Sequence, residues 1–397
     1  MNPIQLPEYT LRFHKSSVTD LLVLDLPQEV APLLVSGDAT GKICLWDLIR
    51  RRPISSHCIE NEPQIVALQY VDDGLLAVLD KQHKLRFLKI DGSWEQVYEI
   101  PVNTLNFANF LVQRLDTGWY RLICCNTQDS ESIDIYEFHL SSLHSLKRVH
   151  KGLKFYQAIS SLILPAGFKL DKLGIVMKFT EWHGVIFCGM ESGFVIGFNL
   201  IDDGQVEIVY VSHVHYPNPI LDLYPGKDNI LSSSTDNKIG IHDLNCQQDE
   251  RPNFERQSPI LLKKELHSLS ANFKQVPISE VAHIKKIENL LLLSSWFGET
   301  VVTDEQIELL AKFSKSKSIV EVNENPQGNL QSNNTSSKSK NPNCKVSSLE
   351  GLSSSNSKDS NYVISTNVGQ RRRIERFLQN SWCIIGYDDG NIAFHRL

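Results

Sequence analysis

Short apolar runs recur along the chain, each closed by a polar turn and followed by a second short run. Leu33-Leu34-Val35, Leu75 to Leu79, Val185-Ile186-Phe187 and Leu290 to Leu293 are examples. Runs of this length bounded by turn residues predict β-strands. No segment carries a long, capped stripe of period 3.6, so the helices that an α/β fold needs are missing and an all-β chain is expected. Residues 367–379 (NVGQRRRIERFLQ) read either as one or two helical turns or as a loop leading into a strand.

The strand–turn–strand unit repeats. Its clearest copies are SGDATGKICLWDL (36–48), SSSTDNKIGIHDL (232–244) and GYDDGNIAFHRL (386–397). Weaker ones are VLDKQHKLRFLKI (78–90), CCNTQDSESIDIYEF (124–138), CGMESGFVIGFNL (188–200) and SSWFGETVVTD (294–304), which makes seven. Gly41, Gly193 and Gly390 permit the backbone torsions of such turns. The pattern resembles the WD40 repeat and implies an all-β, seven-bladed WD40 β-propeller occupying residues 1–397 as one domain. In strong repeats of that kind a turn Asp is hydrogen-bonded to a His at the start of the blade and to a Trp at the end of the next strand. Asp236 and Asp389 occupy the turn position, His14 precedes Val18 as the blade-opening His, and Trp46-Asp47 supplies the terminal dipeptide, with Asp243 in the matching place of a later copy. In the first copy Thr40 stands at the usual Asp position and Asp38 two residues earlier, so no blade is expected to show the complete set.

About half of residues 314–361 are Ser or Asn. That composition buries too little apolar surface to offset ordering entropy, and predicts a disordered insertion between blades six and seven. Without it the chain provides about 50 residues per blade for seven blades or about 44 for eight, against roughly 40–45 in a typical repeat. The seven copies decide for seven. Residues 9–13 (YTLRF) read as a strand ahead of the first repeat, while the last copy ends after its third strand. Pairing of strand 9–13 with the C-terminal blade would close the ring and remove both exposed edges.

Composition narrows the function classes. Forty Lys and Arg against 46 Asp and Glu give a net charge of −6, the wrong sign for a general phosphate-backbone binder. The longest candidate membrane span, Leu21 to Val35, is interrupted by Asp25, Pro27, Glu29 and Pro32. Met1 to Tyr9 is polar with two prolines, unlike a secretory leader. Eight scattered cysteines without a Cys-x-x-Cys read as free thiols of a reducing compartment.

The search for chemistry returns negatives. Phosphate-cradling loops, His-Glu-x-x-His and Gly-x-Ser-x-Gly are absent. His213 and His215 have metal-compatible spacing but no Cys or acidic ligand nearby in sequence, so one of them is read as the blade-opening His of blade five. His139, His144 and His150 read as solvated in a polar connector. Asp72-Asp73-Gly74 and Asp202-Asp203-Gly204 lack the closing Glu of a calcium loop and read as turns. Cys124-Cys125 lies in an apolar run and reads as buried and inert. Accordingly no catalytic, cofactor-binding or metal-binding residue is assigned, and no enzyme is expected. Two basic triplets, Arg50-Arg51-Arg52 and Arg371-Arg372-Arg373, are candidate contacts for an acidic partner or, together with Lys315, Lys317, Lys338 and Lys340, a weak nuclear-import element, with solvated loop charge as the plainer reading. Trp94, Trp119 and Trp182 fall in connectors and are candidate partner anchors.

Beyond the repeat, YTLRFHKSSVTDL with SGDATGKICLWDLIRRRP, NPILDLY (218–224), SSWFGETVV and WCIIGYDDGNIAF resemble, in that order, the fungal ASTRA-associated protein 1 family and its animal Gβ-like relatives. Phe297 stands where that family's turn Asp is expected, and blades two and three match poorly. The resemblance implies a non-catalytic scaffold subunit of a chromatin-regulating, kinase-assembly complex. Implied partners are a PI3-kinase-like pseudokinase, Tel2/Tti-type co-chaperones and AAA+ ATPases, with no direct nucleic acid or membrane contact. The implied location is the nucleus, with the cytoplasm as a second site. A Gβ-like signalling adaptor is the alternative, although such proteins usually carry an N-terminal coiled-coil helix and few residues precede the first blade. A propeller enzyme acting in its central channel is a third, opposed by the missing ligand clusters.

Overall fold

The computed structural model describes residues 5–397 except 73, 91–92, 161, 163–168, 202–204, 245–247, 251–259, 268–271, 318–342 and 355–367. Its strands form seven sheets arranged as the blades of a propeller. The chain opens with β1 (Tyr9–Arg12), then builds blade one from the axis outward as β2 (Val18–Leu24), β3 (Leu33–Asp38), β4 (Lys42–Asp47) and β5 (Arg52–Cys58). Blade two is β6 (Ile65–Asp72), β7 (Leu75–Asp80), β8 (Lys84–Lys89) and β9 (Glu95–Pro101). Blade three is β10 (Leu111–Asp116), β11 (Trp119–Cys125), β12 (Ile133–His139) and β13 (Ser142–Leu153), followed by the short α1 (Tyr156–Ser160). Blade four is β14 (Val176–Trp182), β15 (Val185–Met190), β16 (Val195–Ile201) and β17 (Gln205–Ser212).

Blade five departs from a simple meander. After β18 (Ile220–Pro225), β19 (Ile230–Ser234) and β20 (Lys238–His242), the chain forms a hairpin, β21 (Gln248–Glu250) and β22 (Ile260–His267). This hairpin joins the neighbouring blade: β22 runs parallel to β17 and makes the fourth sheet six-stranded, two strands more than the repeat predicts. Only then does β23 (Asn272–Gln275) complete blade five. Blade six is β24 (Val281–Ile287), β25 (Leu290–Ser295), β26 (Glu299–Thr303) and β27 (Leu309–Ser314). Blade seven combines β28 (Val346–Leu352), β29 (Trp382–Tyr387) and β30 (Asn391–Arg396) with β1 from the other end of the chain. Between β28 and β29 lies α2 (Val368–Leu378), so the described part of residues 367–379 forms a helix rather than a loop, residue 367 lying outside the described residues.

Each of the seven sequence copies lies on the second and third strands of one blade. The expected insertion needs correction. Its range, 314–361, contains the innermost strand of blade seven; residues 318–342 and 355–361 of it lie outside the described residues. Serine count concealed this strand. Val346, Ser348 and Leu349 are buried, and the hydroxyls of Ser347 and Ser348 donate to the Val18 carbonyl at 2.7 and 2.9 Å. Small polar residues suit a strand crowded against its neighbour near the axis.

The core is divided among the blade interfaces. Seven apolar clusters occupy them, one between each adjacent pair, including blades seven and one. Most inner strands begin with a buried β-branched residue: Val18, Ile65, Val176, Ile220, Val281 and Val346. These side chains press on the second strand of the preceding blade. A Cβ on Gly37 would lie 2.8 Å from Ile65, and one on Gly189 would lie 2.5 Å from Ile220, so the close approach requires glycine there. Closure is made by β1, which pairs antiparallel with β30 from Tyr9↔Phe394 to Arg12↔Asn391. Tyr9 stacks on Phe394 at 4.5 Å and meets the edge of Trp382 at 5.7 Å. At the adjoining turn Gly390 has φ 83°, and a Cβ there would come within 2.4 Å of the His14 carbonyl oxygen.

Candidate partner-binding surface

The residues of the repeat signature form hydrogen-bonded ties inside the blades. In blade one Ser36 is the hub. His14 Nε2 lies 2.7 Å from its hydroxyl, and Trp46 Nε1–H donates to it at 2.8 Å. His14 Nδ1 faces Asp38 Oδ2 at 2.7 Å, while Asp38 Oδ1 accepts the amides of Thr40 and Lys42 and the Thr40 hydroxyl. Asp38 therefore closes the His–Ser–Trp tie from two residues before the usual turn position, and the absence of an Asp at Thr40 leaves nothing unmade. Burial pushes the Asp38 carboxyl up, but these hydrogen bonds together hold it below the usual carboxylate range. Asp47 caps the next turn by accepting the Arg50 amide at 2.8 Å.

Blade five repeats the tie with one exchange. His215 contacts Asp236 at 3.1 Å and the Ser232 hydroxyl at 2.8 Å, and His242 takes the place of Trp46, 2.7 Å from Ser232. His242 is held on its other side by the Tyr210 hydroxyl at 2.7 Å; Asp243 follows it, half-buried. His215 is thus engaged with protein groups. Blade two keeps the early Asp but pairs Asp80 with Arg86 from the neighbouring strand at 2.7 Å. In blade seven Ile385 occupies the serine position, and Asp389 instead pairs with Lys315. Burial drives the His242 ring down to about 3 and His395, stacked on Phe313 at 4.0 Å, down to about 4.

A second set of polar side chains links the inner strands of neighbouring blades around the axis. Asp20 accepts the Leu68 amide of blade two at 2.7 Å, and Asp222 accepts the Ile284 amide of blade six at 2.9 Å. Lys178 pairs with Asp222 and Lys285 with Glu350. Gln69 exchanges two hydrogen bonds with Val112, and Asn109 two with Phe179. These groups join neighbouring blades to one another. Among the described residues no group of three or more His, Cys, Asp or Glu is placed to hold a metal ion. Seven described cysteines are free; Cys246 lies outside the described residues. Burial pushes the Cys125 thiol up to about 12 and Cys124 well above the usual range.

In a four-stranded meander the turn between second and third strands and the loop to the next blade share one face of the wheel. On that face the loop from β9 to β10, NTLNFANF (103–110), has inverted polarity. Asn103, Thr104 and Asn106 are buried, whereas Leu105 and Phe107 are each 77% exposed. The polar side chains serve as struts. Asn103 Nδ2 donates to the Asn126 carbonyl at 2.8 Å, Asn106 Nδ2 to the Val176 carbonyl at 3.0 Å, and Lys81 Nζ to the carbonyls of Thr104 and Asn106. Trp296 and Phe297, at the corresponding turn of blade six, and Tyr216, ahead of blade five, are exposed on the same face. These exposed residues escaped the sequence reading, because polar–apolar alternation alone does not tell which side faces water.

The tryptophans singled out in the sequence are placed differently. Trp182 ends β14, is buried, and donates to the Gly226 carbonyl at 2.9 Å. Trp94 is half-buried, stacks on His57 and donates to Ser55. Trp119 begins β11 and is exposed, but on the opposite face. His150 is buried within β13 rather than solvated in a connector, because β13 is a twelve-residue outer strand; His144 on the same strand is exposed. Asp72 at the first Asp-Asp-Gly turn pairs with Arg114 at 2.6 Å; Asp73 and residues 202–204 lie outside the described residues.

Comparison with known proteins agrees with this architecture. The Myceliophteria thermophila Cps50 (Swd1) β-propeller domain superposes with a TM-score of 0.60, covering 98% of both chains at 10% identity, a likeness of fold alone. The family model described as ASTRA-associated protein 1 matches residues 7–395. ASTRA-associated protein 1 of Kluyveromyces lactis is 41% identical over 97% of this chain and 96% of its own. That of Vanderwaltozyma polyspora is 37% identical, with 98% of both chains covered. The chain is a member of the ASTRA-associated protein 1 family, with the fold of a seven-bladed propeller.

Proposed function

We propose that the chain is a non-catalytic subunit of an ASTRA-type assembly that holds protein partners together through the faces of its wheel. The partners proposed are a PI3-kinase-like pseudokinase, Tel2/Tti-type co-chaperones and AAA+ ATPases. The role is in chromatin regulation and kinase maturation, and the location is the nucleus. The observation that carries a docking function is the 103–110 loop, which buries its polar side chains and holds Leu105 and Phe107 in water. Exposing two large apolar side chains forfeits about 2 kcal/mol each relative to burial, and a partner's surface recovers it. Rigid aromatic groups, which lose little entropy on binding, are the usual anchors of protein interfaces.

Affinity purification of the tagged chain from cells tests this reading. Recovery of the kinase-like protein or its co-chaperones is expected, and imaging of the same tagged chain should place it in the nucleus. Consistent absence of every such partner overturns the assembly role.

A further inference from the structure

The two basic triplets, more than three hundred residues apart in sequence, contribute to one cleft. It lies at the seam where the ring closes, on the face opposite Leu105 and Phe107. Its walls are the turn after β4, the residue preceding β1, and one side of α2. The cleft encloses about 380 Å³ and is lined by Arg50, Arg51, Arg373 and Arg376 over a floor that includes Phe377 and Trp382. Glu8 is the one carboxylate among the described residues of its lining.

These arginines are unequally compensated. Arg50 sits 3.6 Å from Asp47, and Arg376 lies 3.3 Å from Glu8. Arg51 lies over the Tyr9 ring at 3.9 Å, and Arg371 is tied to Glu375 on the exposed side of the helix. Arg51 and Arg373 have no carboxylate partner among the described residues and both are exposed. Arg51 also adopts φ 57°, a left-handed conformation that a side chain other than Gly, Asn or Asp rarely takes.

We infer that this cleft is a docking site for a short acidic peptide segment of a partner protein, one that places carboxylates on Arg51 and Arg373 and an apolar side chain on the Phe377–Trp382 floor. Guanidinium groups bind carboxylates through paired, charge-assisted hydrogen bonds, and an arginine over an aromatic ring loses little freedom when it does so. A net charge of −6 makes the basic character local. The floor of the cleft is apolar, which suits a peptide carrying apolar side chains as well as carboxylates better than a polyanion of uniform charge. The concave, partly apolar lining likewise favours a peptide over a flat anionic surface. The inference is independent of the role proposed for Leu105 and Phe107.

Fluorescence anisotropy on the full chain tests it, with a labelled twelve-residue peptide that alternates paired glutamates with single leucines. Saturable binding is expected, weakening as salt rises and absent when lysine replaces glutamate. Arg51→Gly combined with Arg373→Ala should weaken it at least tenfold with the melting temperature unchanged, since glycine relaxes the φ at 51. Arg373→Glu alone, on an exposed helix face, should weaken it as well. Equal affinity of wild type and variants, no saturable binding of the peptide, or tighter binding of a single-stranded oligonucleotide of equal length would each overturn the inference.

Discussion

Ser36 shows how much of this fold rests on single hydroxyls. It bridges His14 and Trp46 in a site sealed from water, so Ser36→Ala strands two buried polar nitrogens at once. Each unsatisfied group costs about 1–3 kcal/mol, and a loss of roughly 2–4 kcal/mol is expected from urea unfolding at unchanged slope. A change within about 0.5 kcal/mol, the range of an ordinary surface substitution, would contradict the tie. The buried histidines predict a pH dependence. His242 falls to about 3 and His283 and His395 to about 4, chiefly through burial, so each is neutral in the fold. A depressed folded value means stability that is complete above the unfolded value and lost as pH falls from about 6.5 toward 4. Asp20, raised by burial to about 6, acts oppositely: its contribution is lost as pH rises through 6. Burial lowers His57 and His150 as well, so the depressed histidines outnumber Asp20 and acidification brings a net loss. His395, whose two ring nitrogens have no hydrogen-bond partner, is the group to replace. His395→Phe should reduce the difference in unfolding free energy between pH 7.5 and 5 by roughly 2 kcal/mol, whereas an unchanged difference would show that the ring is not held neutral.

At the level of elements, the second and third strands of every blade were legible in the sequence, because a tight turn between two apolar runs is a local signal. Elements whose reason lies in a neighbour were not. β28 looked like low-complexity sequence, since its serines are explained only by the Val18 carbonyl of blade one. The β21–β22 hairpin completes no blade of its own but extends another. Of the ties, His14, Asp38, Trp46 and Asp236 could be named from the repeat, whereas Ser36, Ser232 and His242 required the register between strands. β1 carries the largest consequence. A chain beginning at residue 15 would lose Tyr9, Leu11 and His14 from buried positions and expose the edge of β30. Burial of the two large side chains, together with the lost tie, is worth roughly 5 kcal/mol or more. A melting temperature lower by about 10 °C, with aggregation, is expected by calorimetry. Equal melting of the two chains would show that β1 does not close the ring.

Taken as one body, the wheel is stiffened at its interfaces and differentiated at its faces. Inner strands contact each other around the full ring, and hydrogen bonds such as Asp20 to Leu68 and Asp222 to Ile284 cross between them. Loops fixed to such a frame hold their side chains without further ordering cost, which favours tight docking. One face offers Leu105 and Phe107, the other the arginine cleft at the seam. A chain with separate docking faces can hold two partners at once, which is what a scaffold must do. The measurement closest to that claim compares affinity purifications of the wild-type chain and a Leu105→Asp, Phe107→Asp variant. Both side chains already face water, so the melting temperature should not move, while recovery of at least one large partner should fall more than tenfold. Undiminished recovery of every partner by the folded variant would contradict the claim that this loop is where the assembly grips the wheel.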